Sequence, residues 1–296
     1  MNTIKYEALL ETVRYGNLTR AAEELKYTQS SISQMIQSLE KEFGFPLLIR
    51  RKEAVYPTEE AKQLLPEMTR IISSEKNLRE IAESILGVQR GHIRIGTFFS
   101  AAAFVLPQVI RAFELDHPQI SMEFFEGDTQ EIYSMLRNNE VDLAFITAPP
   151  QQGLKFIPLV EDRLQAIVPA TWPIAQLERP TVADLAEYPV ITTMERSDED
   201  LYRIFGPANV TPKIKYRIKS ETTVISMVNH ELGIAIMSEL IMRNLPANVA
   251  VKDIDAEHNI RGIGVALPSL ESASPSARLF IQYLTEMNQT QNWNQI

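Results

Sequence analysis

Eight positions between residues 61 and 85 follow one another at alternating spacings of three and four, and only one of them is not apolar. These positions are Ala61, Leu64, Met68, Ile71, Glu75, Leu78, Ala82 and Ile85. An average spacing of 3.5 residues keeps one stripe of a helix facing a partner helix, as a two-stranded coiled coil requires. The alternative is an amphipathic helix packed on the core of one globular domain, and Pro66 would kink either helix. The spacing therefore predicts a long helix.

Three shorter helices are predicted before this segment. The first has apolar residues at helical spacing and ends at Gly16. Thr19 is a candidate N-cap for the second helix, and Thr28 is one for the third, which Gly44 ends. Two short helices separated by a tight turn, the second of them amphipathic, form a helix-turn-helix pattern.

The N-terminal half of the third helix exposes uncharged hydrogen-bonding side chains and no Lys or Glu. They are Gln29, Ser30, Ser31, Ser33, Gln34 and Gln37. In a helix-turn-helix this part of the second helix contacts base edges in the major groove. A solvated surface face is the plainer alternative. We predict that the members of this group between residues 29 and 34 contact bases.

A basic segment follows Pro46, between two short apolar stretches. The apolar stretches are residues 47–49 and 54–57, and the cations between them are Arg50, Arg51 and Lys52. Two short strands around a basic tip are typical of a wing whose cations meet DNA phosphates. We predict phosphate contacts for Thr28, Arg50, Arg51 and Lys52. Residues 1–58 are thus predicted to form a winged helix-turn-helix DNA-binding domain.

Three segments and one dipeptide of this region match a known pattern. They are LTRAAEEL at 18–25, QSSISQMI at 29–36, LEKEFGFPLL at 39–48 and Thr58-Glu59. In them the chain resembles the LysR-type transcriptional regulators. Ser30 stands where that family commonly has Pro, and Gln34 where it often has Arg or Lys. Glutamine pairs bidentately with adenine whereas arginine favours guanine, so operator preference does not carry over from relatives.

The resemblance implies a regulator of transcription that binds double-stranded DNA as a homo-oligomer. In the family, a helix such as the predicted one over 59–90 pairs two chains and holds their DNA-reading heads at a fixed spacing. The third helices of two heads would then read an interrupted inverted repeat. We expect a homodimer through this linker helix, a homotetramer of such dimers, and an effect on contact with RNA polymerase.

From residue 92 onward, strand patterns alternate with helix patterns. Strands are indicated at 92–97, 120–125 and 141–146, and Ser274-Pro275 opens a last helix. This α/β order implies a mostly parallel sheet. The family resemblance further implies that residues 91–296 form a two-lobed, periplasmic-binding-protein-like effector domain. Its first lobe would hold 92–163 and 267–296 and its second 164–266, with the ligand in the cleft between them.

Hydroxyl side chains stand where the predicted strands end or the next helices begin. We predict that five of them bind the effector: Thr97, Ser100, Thr129, Thr147 and Thr222. Helix N-termini with such donors bind anions, although each position is individually explained as an N-cap or turn residue. In the family, positions matching Ser100, Thr129 and Thr147 commonly face the effector. The expected effector is a small polar molecule, either a carboxylate or a neutral compound.

Composition narrows the remaining classes. The chain has 45% hydrophobic and 23% charged residues and no cysteine, which excludes disulfides, Cys-ligated zinc and thiol redox chemistry. It shows no signal peptide and no 18-residue apolar run, so we expect a cytoplasmic protein without membrane contact. The net charge of −9 arises after residue 90, since residues 1–58 hold eight Lys or Arg and seven Asp or Glu. This asymmetry permits a DNA-facing head.

Catalytic motifs are missing from the sequence. It has no GxSxG, GxGxxG, GxxxxGK[ST] or HExxH, and its four histidines are scattered without ligand spacing. We therefore expect no enzyme activity, no cofactor and no metal site. Two other classes stay open, namely a two-lobed enzyme or solute-binding domain with an incidental head, and a structural DNA-binding protein. The net charge argues against the latter, which usually binds through broad basic surfaces.

Overall fold

Three helices and a small sheet form the N-terminal head of the computed structural model, which describes residues 3–51, 54–86, 90–193, 197–242 and 245–290. The elements of the head are α1 (Thr3–Tyr15), α2 (Leu18–Glu24), α3 (Gln29–Phe43), β1 (Leu48–Arg50) and β2 (Val55–Pro57). β1 and β2 pair antiparallel. Leu9, Ile32 and Leu39 are buried in the core of the head, so the helix-turn-helix and its wing share one core.

The caps of α2 and α3 test three predictions. At α3 the hydroxyl of Thr28 accepts a hydrogen bond from the Ser31 N–H, and Gly44 ends the helix with a left-handed φ of 84°, so both predicted ends are confirmed. At α2 the prediction of Thr19 as N-cap is wrong. Asn17 has extended backbone angles there, and its Oδ1 accepts from the N–H groups of Thr19 and Arg20. Asparagine caps at least as well as threonine.

The predicted long helix is α4 (Glu59–Ile85), which is 27 residues long. Its N-terminal half packs on the head, where Met68 and Ile72 are buried. Its C-terminal half leaves the apolar stripe uncovered, since Leu78 is 66% exposed and Ile85 is 80% exposed. Gly87 and Gly91, on either side of residues 88–90, predict a hinge-like exit from this helix, of which residues 87–89 lie outside the described residues.

The rest of the chain alternates strands and helices. The strands are β3 (Gly91–Thr97), β4 (Ile120–Glu126), β5 (Leu143–Thr147), β6 (Lys155–Pro169), β7 (Pro189–Thr193), β8 (Lys213–Ile218), β9 (Ala235–Ser238), β10 (Val249–Asp253) and β11 (Ile260–Leu267). The helices are α5 (Leu106–Asp116), α6 (Thr129–Arg137), α7 (Val182–Ala186), α8 (Ser197–Phe205), α9 (Glu221–Asn229) and α10 (Pro275–Thr290). A π-helical turn at Ala101–Val105 leads into α5.

The main sheet is mixed, so the expectation of a mostly parallel sheet is wrong. Its strands follow the order β10-β6-β11-β5-β3-β4, and β9 also pairs with β6. β3 pairs parallel with β4 and β5, whereas β11 runs antiparallel to β5 and β6, and β6 runs antiparallel to β9 and β10. β7 and β8 form a separate parallel pair.

From β3 onward, the buried hydrophobic residues divide between two lobes. Lobe 1 contains β3, β4, β5, α5, α6 and α10, with Phe113, Phe145 and Phe280 buried at its centre. Lobe 2 contains α7, α8, α9 and β7 to β10, and its core includes Phe205 and Ile234. β6 runs through both cores. None of the described helices is long and apolar enough to cross a membrane.

Candidate functional site

The predicted base-reading residues lie on one side of α3. Gln29, Ser30 and Gln34 are exposed and Ser31 and Ser33 are half-buried, while the opposite side of the helix fills the core of the head. The hydroxyl of Thr28 lies 2.9 Å from that of Ser30 and 2.7 Å from that of Ser31. The hydroxyl groups of Thr28, Ser30 and Ser31 therefore form a connected chain at the start of α3, and the amide of Gln34 follows one turn later.

The wing lies beside the same half of α3. Nη2 of Arg50 donates to Oγ of Ser33 over 3.3 Å. The guanidinium carbon of Arg51 lies 5.7 Å from the centre of the Tyr56 ring, a cation–π distance. Both arginines are exposed, whereas Lys52 lies outside the described residues. The structure thus brings exposed cations next to the uncharged polar surface of α3, and the Arg50–Ser33 contact is a link that sequence patterns did not indicate.

A buried ion cluster lies where β6 and β11 pass between the lobes. Arg261 of β11 stands opposite Asp162 of β6 in the strand register, and their Nη2 and Oδ2 atoms are 2.6 Å apart. Nη1 of Arg261 lies 2.8 Å from Oδ2 of Asp200, on α8. Oγ of Ser238 donates to Oδ1 of Asp162 over 2.8 Å, and Nη2 of Arg261 donates to Oγ of Ser100 over 3.4 Å.

Arg261 stays charged in this cluster although it is buried. Burial acts to lower the pKa of its guanidinium, but the neighbouring carboxylates of Asp200 and Asp162 outweigh burial and raise that pKa above its ordinary value. One guanidinium therefore holds two carboxylates. A second arginine, Arg203 of α8, donates from Nη2 to the carbonyl of Ala148, after β5, over 3.2 Å, so α8 of lobe 2 also contacts lobe 1 directly.

A small cavity of about 30 Å³ adjoins the cluster. Its polar lining is Ser100, Thr193, Asp200, Glu221, Ser238 and Arg261. Ligand pockets for metabolites usually enclose about 300–1,000 Å³. This cavity is therefore too small for a metabolite, which could bind here only if the side chains around the cavity moved apart.

Of the predicted effector-binding residues, only Ser100 lines this cavity. Thr97 is buried, and its hydroxyl donates to the Phe98 carbonyl over 3.3 Å. Thr129 and Thr147 are half-buried, at the start of α6 and the end of β5, and Thr222 is exposed on α9. The described part of the chain holds no group of His, Asp or Glu side chains that could bind a metal ion.

Sequence patterns missed Asp162, Asp200, Arg261 and Ser238. No motif joins them, because β6 and β11 are almost one hundred residues apart along the chain. One usable signal existed. Arg261 is the one charged residue of β11, an otherwise apolar strand, and a buried charge of this kind requires a partner of opposite sign.

Both regions of the chain match family models. The bacterial regulatory helix-turn-helix protein, lysR family, matches residues 5–62, and the LysR substrate binding domain matches residues 87–289. The uncharacterized HTH-type transcriptional regulator YvbU of Bacillus subtilis (strain 168) is 27% identical over 290 residues, which cover 97% of this chain and 99% of YvbU.

Two solved structures are also similar. Full-length CbnR complexed with its target DNA has a TM-score of 0.71 at 17% identity, and the match covers 97% of this chain and 99% of CbnR. The effector binding domain of QuiR in complex with shikimate has a TM-score of 0.63 at 25% identity, and the match covers 68% of this chain and 98% of that domain.

Proposed function

The chain belongs to the LysR family of bacterial transcriptional regulators. On this premise we propose which function each part of the chain performs. It is a DNA-binding transcriptional regulator with an effector-binding domain. We assign DNA binding to residues 1–58, dimerisation to the linker helix at 59–90 and effector binding to residues 91–296. The lobe boundaries proposed are those given above.

One observation supports the DNA-reading assignment most directly. In a chain with a net charge of −9, the exposed arginines of the wing adjoin a half-helix of uncharged hydrogen-bonding side chains. Cations that meet phosphates next to neutral groups that meet bases are the combination that positions and then reads a duplex. The α3 helices of two paired heads read the half-sites of an interrupted inverted repeat. Tetramers of the protein, located in the cytoplasm, bend the DNA and in this way act on RNA polymerase.

The effector is a small polar molecule that enters the cleft between the lobes. The QuiR domain in complex with shikimate supports a ligand of this size. Ser100 and the ion cluster would contact it first, and Thr97, Thr129, Thr147 and Thr222 are the further contacts that we propose. A carboxylate effector would compete with Asp200 for Arg261, whereas a neutral one would leave that pair intact.

DNA affinity tests this function. Full-length protein is titrated against the DNA upstream of its own reading frame and against random DNA of equal length, at several salt concentrations. Salt-dependent binding that favours the upstream DNA is expected, and no selective binding at any salt would sink the proposal.

A thermal-shift screen of the full chain with small metabolites then searches for the effector, since a ligand at about 100 times its Kd stabilises by about 2.7 kcal/mol. A hit must be lost in Ser100→Ala.

A further inference from the structure

Two arginines connect the lobes, and they differ in how their charge is balanced. Arg261 lies between the carboxylates of Asp162 and Asp200, so the charge of its guanidinium is neutralised. Arg203, almost one turn after Asp200 on α8, is half-buried, and among the described residues no carboxylate lies within ion-pair distance of it. The uncompensated positive charge at this boundary is therefore that of Arg203.

The guanidinium of Arg203 also has an unused hydrogen-bond donor. Its Nη2 donates to the Ala148 carbonyl over 3.2 Å. Its Nε is buried and has no acceptor in the part of the chain that the structure describes. A buried donor without an acceptor is costly, and it is more costly on a charged group. An acceptor supplied from outside the chain would remove this cost.

A second donor without an acceptor belongs to lobe 1. Tyr133 of α6 is only 4% exposed, and its hydroxyl oxygen accepts from the Gln151 N–H over 3.3 Å. Burial raises the pKa of this hydroxyl, the bond from Gln151 opposes the rise, and the carboxylate of Glu199 on α8 adds to it. The hydroxyl therefore keeps its proton, which none of the described residues accepts.

Both donors contact one short segment of lobe 1, residues 148–151. Arg203 contacts the first residue of this segment, and Tyr133 contacts the last. Asp200 lines the cavity beside the ion cluster, and residues three apart share one face of a helix. Arg203 therefore lies on the side of α8 that faces this cavity and lobe 1. A ligand at the segment would meet donors from both lobes.

The chemistry of these donors selects a singly charged anion. Nε and Nη2 lie on one edge of the planar guanidinium and match the two oxygens of a carboxylate. Nη2 carries two N–H groups, so it can keep the Ala148 carbonyl and still donate to a ligand. One uncompensated positive charge balances one negative charge, whereas a doubly charged phosphate would leave an excess beside Glu199.

We propose that Arg203 is the anion-binding residue of the cleft and that the effector carries a carboxylate, held by Nε and Nη2 of Arg203 and by the hydroxyl of Tyr133. Arg261 then keeps both of its aspartates, and the effector does not displace Asp200. That the bound molecule is an effector rests on the proposed function, whereas binding of the anion does not require DNA.

Acetate tests the proposal on the full chain, with acetamide plus an equal concentration of sodium chloride as the neutral comparison. At about 100 mM, we expect acetate to raise the melting temperature by about 2 °C more than acetamide does. This difference should disappear in Arg203→Met and persist in Arg203→Lys, which keeps the positive charge. Arg179→Met is the matched control for general salt effects, because Arg179 is an exposed arginine of lobe 2, and it should respond like the natural chain.

Each other outcome overturns part of the proposal. Equal shifts with acetate and acetamide refute the anion, and an acetate shift that persists in Arg203→Met refutes the residue. If Arg203→Met does not fold, as judged by circular dichroism, Arg203→Gln replaces it. A shift with inorganic phosphate but none with acetate refutes the carboxylate.

A parallel titration with upstream DNA separates this inference from the proposed function. Selective DNA binding without an acetate effect refutes only the inference. An acetate effect that requires Arg203, without selective DNA binding, refutes only the proposed function.

Discussion

Arg261 and Asp162 face each other across β11 and β6, and Nη2 of the arginine lies 2.6 Å from Oδ2 of the aspartate where both side chains are almost fully buried. The same guanidinium holds Asp200 of α8. Removing one member of this group leaves a buried charge without its partner, which costs far more than the loss of a surface ion pair.

Asp162→Ala is therefore expected to lower the free energy of unfolding by about 3–5 kcal/mol, as measured by urea denaturation of the full chain. Asp255→Ala is the matched control, since its 3.7 Å pair with Arg179 is more than half exposed on both sides, and it should cost about 0–1 kcal/mol. Equal losses of unfolding free energy in the two variants would show that the buried pair contributes no more to stability than an exposed pair does.

Gln29 and Arg51 are expected to affect DNA binding differently. Gln29→Ala should cost about 1–3 kcal/mol at one or two operator positions and little on random DNA. Arg51→Ala should weaken binding to all sequences and reduce the salt slope by about one. Fluorescence anisotropy over a salt series, with single-base operator variants, measures both. Gln130→Ala, exposed on α6, is the control. A loss for Gln29→Ala that is equal on all DNA contradicts base reading.

The exposed end of the apolar seam is expected to carry the dimer contact. Leu78 and Ile85 are 66% and 80% exposed in the single chain, and a buried seam does not accept charges. Leu78→Asp/Ile85→Asp should shift the chain toward monomer in sedimentation velocity, whereas Ser84→Asp, exposed beside the seam, should not. An unchanged mass for the double variant places the main contact elsewhere.

Glu11 gives the head a pH-dependent stability. Burial raises the pKa of its carboxyl above the ordinary 4.5; Arg14 and Lys76 oppose this, and Glu24 and Glu123 add to it. Its Oε2 has no hydrogen-bond partner within the described chain. The folded head therefore binds this proton more tightly than the unfolded chain does. The resulting stability is complete below the ordinary pKa and is lost as pH rises through the folded value.

Glu11→Gln is accordingly expected to raise the melting temperature at about pH 7 and to change it little at about pH 4, because a neutral side chain avoids the cost of ionisation. Scanning calorimetry at both pH values measures this. Glu178→Gln, at an exposed position, should have no effect at either pH. A lower melting temperature for Glu11→Gln at about pH 7 would mean that the Arg14 ion pair outweighs burial.

The head was largely predictable because its signals are local. Thr28 and Gly44 each act within one turn of the end of α3 that they mark. The 3,4 spacing of α4 is visible in the sequence without knowledge of the helix that packs against it. The sheet was less predictable, since strand direction depends on where the chain returns. Residues 155–169 form one long strand, β6, and nothing in their apolar pattern shows that it runs antiparallel to β11.

The hydroxyl groups at strand ends predicted few of the side chains around the ion cluster. Of those hydroxyl residues, only Ser100 lines the cavity beside it. Asp162 did not stand out, because Glu161 and Arg163 flank it in β6. Its pairing with Arg261 exists only once β6 and β11 are paired.

The sharing of β6 between the two cores has a thermodynamic consequence. Leu159 belongs to the core of lobe 1 and Leu164, five residues later on the same strand, to that of lobe 2. We therefore expect that loss of one lobe's part of this strand loosens the other lobe, and that the two lobes unfold together. A small molecule bound in the cleft therefore stabilises both lobes together, even when it contacts only a few residues.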